Sequence, residues 1–273
     1  MTAQQRFSQP ECLLAQSAAT ARTPARPAIP FVLILWVTVA ATALAPVRLR
    51  SAPFEDLFRQ GVGTYRVGDY AGAVQAFRES ARRQPASGTL QNLGNAEWKV
   101  GRTGAAVLAW EQALWLDPFN ASAREDLQFA RKAAQLDSPE LAWYEVISTW
   151  LPPNWWAWMA GASLWVAIGL VMLPGILRWP KATWHQAAAA FCLMLFLLSV
   201  PAYIGLHTRS RCGLILQPDT VLRLTPTLEA QGIARLVAGE PARMVRTRGL
   251  YVLIRTNRTQ GWVEREQFGL ICE

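Results

Sequence analysis

Between Trp155 and Leu177 the chain runs for 23 residues without an ionisable side chain. As a helix this stretch is about 34 Å long at roughly 1.5 Å per residue, more than the roughly 30 Å hydrocarbon core of a bilayer. A surface helix of a soluble domain keeps a polar face, and this stretch has none. Its flanks carry Trp150, Trp155, Trp156 and Trp158 on one side and Trp179 and Trp184 on the other. Indole combines an apolar ring with an N–H donor, which favours the headgroup level. A second apolar run, Ala187–Leu206, follows the short turn RWPKATWHQ and contains Pro201 near its end. The sequence therefore predicts a two-helix transmembrane hairpin over 155–206.

Arg178 and Lys181 assign that turn to the cytoplasmic side, because short cytoplasmic loops carry an excess of basic residues. Everything before Trp150 and after Leu206 is then exported. The N-terminal stretch agrees: a basic flank, an apolar run at Phe31–Ala45, and small residues Ala41 and Ala43 in an A-x-A arrangement. Residues 1–46 read as a leader holding a signal peptide or an uncleaved anchor of the same polarity.

Apolar residues make up 52% of the 273 and charged ones only 17%, which is charge-poor for a soluble protein. The net charge of +8 is uneven: +4 over 1–50, −1 over 51–142, +1 over 143–206 and +4 over 207–273. This basic surface flanks apolar spans and carries no nucleic-acid motif, so anionic headgroups or wall polymer are expected rather than nucleic acid. Of the four cysteines, no pair has metal-ligand spacing, and Cys192 within a span reads as a small packing residue. His185 and His207 are the only histidines. No nucleophile, metal or phosphate motif occurs, so no catalytic residue and no cofactor is expected.

Two segments, 59–85 and 91–118, align at an offset of 33: Gly61 with Gly94, Gly68 with Gly101, Ala73 with Ala106, Phe77 with Trp110, Ser80 with Ala113 and Pro85 with Pro118. Paired helices need such residues: small ones where they approach, glycine in the turn, an aromatic between layers and proline at the end. The pattern resembles the tetratricopeptide repeat. A helix over 120–135, N-capped by Asn120 and packing through Leu127, Phe129 and Ala130, is expected to complete a repeat domain over 54–135. The resemblance implies protein binding, with Asn92, Asn95 and Lys99 as candidate contacts. Residues 136–154 read as a linker and interfacial segment.

The C-terminal 212–273 alternates apolar and polar residues in short runs broken by Pro, Gly, Asp and Asn, which reads as a small all-β barrel. Its elements Val221-Leu222-Arg223, Gly239-Glu240, Tyr251-Val252-Leu253-Ile254 and Gly261-Trp262-Val263 resemble a bacterial SH3-like domain, with Tyr251 where that family usually has Trp. In that family the first and last strands lie close together, which implies a Cys212–Cys272 disulfide in an oxidising compartment.

The fold class expected is thus a multidomain membrane protein: α-helical repeats, a transmembrane hairpin and an all-β barrel. The order of parts resembles the BatE-type proteins of the bacterial aerotolerance (Bat) operon. That resemblance implies a non-catalytic scaffold in the bacterial inner membrane, with von Willebrand factor A-type membrane proteins and, indirectly, a MoxR-type ATPase as partners. The alternative is an anchor whose SH3-like domain binds peptidoglycan, using Arg223, Arg243, Arg246, Arg248, Arg255 and Arg258.

Overall fold

Helix formation begins where the sequence supplies the ends. The computed structural model describes residues 53–176, 183–227 and 229–272. The leader with Ala41 and Ala43, and the turn carrying Arg178, Trp179 and Lys181, lie outside the described residues. Helix α1 (Pro53–Arg66) opens on a proline, whose missing N–H costs nothing in a first turn, with Glu55 and Asp56 at its positive end. Asp69 caps α2 (Tyr70–Arg83) by accepting from the Gly72 amide at 2.9 Å. Helices α3 (Ser87–Lys99) and α4 (Thr103–Leu116) form the next pair. Asn120 caps α5 (Ala121–Ala133), as the sequence predicts, accepting from the Ala123 amide at 3.1 Å.

The offset of 33 reappears as geometry. Gly68 and Gly101 both lie in the left-handed region, at φ 85° and 87°, where the chain turns between paired helices. A Cβ on Gly61 would sit 2.7 Å from the Phe77 ring, and one on Gly94 would sit 2.5 Å from the Trp110 indole nitrogen. Each glycine lets an aromatic ring lie flat on the preceding helix. Phe77 and Trp110 are accordingly 1% and 2% exposed. In α5, Leu127 and Ala130 are buried as expected. Phe129 is not: it is 62% exposed and meets Trp98 edge-on.

The segment 136–154 holds a short helix, α6 (Trp143–Ser148), rather than a plain linker. Two long helices follow, α7 (Pro153–Ile176) and α8 (Thr183–Arg209). Both are long and apolar enough to cross a membrane. Apart from Trp156, which is 2% exposed rather than outward-facing as the sequence suggests, small residues line their buried positions, Ser163 and Ala167 on α7 and Ala189, Ser199 and Ala202 on α8, which lets the backbones approach. Their outward side chains, such as Trp158, Trp165, Val171, Phe191 and Leu197, are exposed. A core helix of a soluble domain would bury those groups. Pro201 sits inside α8 without ending it.

From Arg209 only Ser210 and Arg211 separate α8 from strand β1 (Cys212–Ile215). The strands β2 (Thr220–Arg223), β3 (Gly232–Leu236), β4 (Pro241–Arg248), β5 (Tyr251–Arg255), β6 (Gln260–Glu264) and β7 (Phe268–Leu270) complete one seven-stranded sheet in the order β3-β2-β6-β5-β4-β1-β7. All pairings are antiparallel, and the first strand lies beside the last. The core of the sheet is Ile215, Leu222, Leu236, Ala242, Val252, Ile254, Val263 and Phe268. Within Gly261-Trp262-Val263 each residue has its own task. Gly261 admits Leu222, whose Cγ would lie 2.6 Å from a Cβ there, Trp262 pairs with Arg223 and Leu253, and Val263 is fully buried. Tyr251 is half-buried at the start of β5, opposite Arg248 and Glu264.

Helices and sheet meet through α4, which packs on both β1 and β7. A Cβ on Gly104 would lie 2.5 Å from the Ile215 carbonyl, Leu108 reaches Gly269, and Gln112 donates to the Leu270 carbonyl at 3.0 Å. Leu214 of β1 belongs to the helical core. That explains why α4, apart from Glu111 and Gln112, carries apolar residues on more than one side: one face serves the helices and the other the sheet. Residues Ser51–Glu273 form one compact unit.

Candidate functional site

Where helices, hairpin and sheet converge they enclose a cleft of about 880 Å3, walled by α4, α5, α6, the end of α8, β1 and β4. One side is closed by Glu145 of α6, which is fully buried. Its two oxygens accept from both Nη atoms of Arg243, at 2.7 and 2.6 Å, and one also accepts from the Ala142 amide at 2.9 Å. Burial alone would raise this carboxyl. The Arg243 fork, the Ala142 N–H and the Thr208 hydroxyl outweigh that and hold it below its ordinary 4.5. Arg243 also donates to the Glu140 carbonyl at 3.2 Å. A single bidentate pair thus ties β4 to the segment that precedes the hairpin. Helix α6 packs on α8 at Gly205, where a Cβ would come within 3.0 Å of Glu145 Cα.

Arg209, the last residue of α8, enters the same cleft. Its Nη1 donates to Ser148 Oγ at 3.2 Å, and its guanidinium lies 5.0 Å from the centre of the Trp115 ring. Deeper among the helices, Glu97 of α3 is 1% exposed and pairs with Arg78 of α2 and with Arg102, which precedes α4. This carboxylate links one helix pair to the next.

The repeat-motif residues are where the alignment leads one to look: Ala73 and Ala106 are fully buried beneath the aromatics, and Pro85 and Pro118 follow α2 and α4. The three candidate contacts do not form one free surface. Asn95 accepts from the Trp110 indole N–H at 2.9 Å and so holds the helix pair together, Asn92 is half-buried, and Lys99 is exposed.

Cys212 and Cys272 are free thiols, so the implied bridge is not made. The register explains it: Gly213 faces Leu270, and the Ile271 amide donates to the Cys212 carbonyl. Ile271 rather than Cys272 therefore lies across from Cys212. Burial pushes the Cys212 thiol above its ordinary value. Of the six arginines proposed to face a polymer, Arg243 is committed to Glu145, Arg258 pairs with Asp137, and Arg255 donates to Gln260, whereas Arg246 and Arg248 are exposed.

Glu145, Arg209 and Glu97 are the site residues that sequence reasoning missed. For Glu145 a signal existed, since it is the only acidic residue in 143–206. A lone carboxylate beside apolar spans calls for a cation, but its partner lies 98 residues away. Among the described residues no group of three or more His, Cys, Asp or Glu is arranged to hold a metal ion. No protein-family model matches this chain, and no curated protein matches it.

Proposed function

We propose that this chain is a non-catalytic, membrane-anchored scaffold. Its helix pairs are tetratricopeptide repeats that bind partner proteins, and its sheet is a bacterial SH3-like domain. In this reading both lie on the exported side of a bacterial inner membrane, within a Bat-type envelope stress assembly that holds von Willebrand factor A-type proteins and, through them, a MoxR-type ATPase. The observation that carries the proposal is the double recurrence of glycine under an aromatic, Gly61 with Phe77 and Gly94 with Trp110, at one offset. Repeats of this kind stack into a concave surface suited to a peptide or helix, and α3 supplies Asn92 and Lys99 to it.

The test is purification of the tagged full-length protein in mild detergent, with mass spectrometry of what accompanies it. Deleting 54–135 would strip the sheet of α4, so the control is Asn92→Ala with Lys99→Glu. Recovery of A-domain membrane proteins by the wild type, lost in the double variant, supports the scaffold. Recovery of wall fragments instead, lost with Arg246→Gln and Arg248→Gln, would make the chain a wall-binding anchor.

A further inference from the structure

The cleft is lined by five arginines and three glutamates, an excess of positive charge at the end of an apolar helix. Two of the arginines are ion-paired and two are exposed with neutral acceptors. Arg131 pairs with Glu111, Arg243 with Glu145, Arg255 donates to Gln260, and Arg124 to the Pro118 carbonyl. Arg209 differs. It touches Ser148 Oγ and the Trp115 ring and makes no ion pair among the described residues, and the two carboxylates whose charge reaches it, Glu111 and Glu145, are held by Arg131 and Arg243. A guanidinium carries five N–H donors in a rigid fork and does not lose its charge, so one hydrogen bond leaves most of its capacity unused. Water would satisfy those donors on an open surface. Here the side chain is half-buried between α4, α6 and β1, where a fixed anion is the better partner.

Position says which anion. Arg209 ends the helix that is long enough to cross a membrane, and Trp143 of α6 beside it and Trp150 just after α6 are exposed, 68% and 60%. Trp155 and Trp158 at the start of α7 are exposed as well. Indoles in such numbers around the ends of two apolar helices mark the headgroup level, where the available anion is phosphate. We propose that Arg209 and the cleft above it hold the phosphate of an anionic phospholipid headgroup, with Arg124, exposed at the mouth, supplying a second positive charge. The fork of Arg209 matches two phosphate oxygens, and Ser148 and Trp115 keep it aimed. This inference uses the membrane-crossing part of the proposed function and is independent of the scaffold role.

The full-length protein is reconstituted into nanodiscs of phosphatidylcholine alone or mixed with phosphatidylglycerol. Lipid retained through delipidation is read by native mass spectrometry. Both lipids carry the phosphate, but the choline ammonium is repelled by the excess of arginine in the cleft, so wild type is expected to retain phosphatidylglycerol in preference to phosphatidylcholine by about tenfold. Arg209→Gln abolishes the preference and Arg209→Lys keeps part of it. Should Arg209→Gln fail to fold, Arg124→Gln reduces the preference by itself, and added inorganic phosphate displaces phosphatidylglycerol from wild type. Equal retention of both lipids, or a preference unchanged in both glutamine variants, overturns the proposal. Binding of inorganic phosphate without lipid preference overturns the lipid source and assigns the cleft to a soluble phosphate ligand. A protein that fails to enter nanodiscs refutes the membrane reading itself, whereas loss of protein partners leaves this site untouched.

Discussion

Glu145 shows what a single side chain contributes when it is fully buried and fully satisfied. Replacing it by Gln keeps the shape but leaves Arg243 without its counter-charge. Breaking a wholly buried pair costs about 3–5 kcal/mol. Because the Arg243 side chain is 38% exposed and can rehydrate in part, the expected loss is about 2 kcal/mol, read as a lower Tm of the full-length protein. The difference between wild type and Glu145→Gln is pH-dependent in one direction. Above the ordinary value of 4.5 the carboxylate is ionised in both folded and unfolded chains and the pair's contribution is complete. As pH falls below 4.5 the unfolded chain binds the proton first, and the contribution is lost as the lowered folded value is passed. A difference that grows on acidification contradicts this account. The cysteines make a second residue-scale case: Cys212 is buried with its thiol pushed up, while Cys272 is half-buried. Iodoacetamide at neutral pH is expected to label Cys272 at least about tenfold faster, since the thiolate is the nucleophile and burial also limits access. Equal rates would contradict the burial of Cys212, and protection of both until reductant is added would point back to a bridge.

At the scale of elements, α4 is where helices and sheet become dependent on each other. Gly104 lies against backbone carbonyls of β1, which have no rotamer to move aside. Gly161 of α7 has open space around it. Both are helical, so Ala at either gains up to about 1 kcal/mol of helix propensity. Gly104→Ala is expected to be destabilising by about 2 kcal/mol net, from overpacking against β1, and Gly161→Ala to be neutral or slightly stabilising. Chemical denaturation of the two variants in the same detergent checks it. Elements are also where the sequence was most readable. Helix pairs, a cap at Asn120 and two long apolar helices follow from periodicity, turn residues and hydropathy, which are local. The faces of those elements were less readable. An apolar α4 reads as a helix with no preferred side, and only the strand arriving more than a hundred residues later reveals that both sides are used. Phe129 shows the converse, an aromatic that the pattern sends inward and the end of the stack leaves outside. Asn95 looked like a contact residue because its amide is polar, and its partner Trp110 had been counted only as filler.

For the whole molecule, the expected order was a repeat domain, a linker and interfacial segment over 136–154, a hairpin and a barrel. Those parts belong to one compact unit, Ser51–Glu273, with Leu214 in the helical core and Glu145 clamped to β4. Thermal unfolding of helices and sheet is therefore expected to be one transition, with amides of α4 and β1 exchanging at the same free energy. Two separate transitions would restore the picture of independent domains. The shared contacts span long sequence separations, which is why no window of sequence displays them.

The two-residue passage from α8 into β1 has a mechanical consequence. A flexible tether would let the sheet swivel; a helix that ends in a strand fixes its bearing. An α-helix advances about 100° and about 1.5 Å per residue, so one residue inserted after Met194 swings everything beyond it by that angle relative to α7, while seven restore the azimuth to within about 20° but displace it by about 10 Å along the axis. Both insertions should then uncouple α6 and Glu145 from Arg243, the first by rotation and the second by translation, and lower the Tm as Glu145→Gln does. The apolar hairpin thus works as a keyed shaft, and whatever turns it by a fraction of a revolution re-aims the arginine-lined cleft.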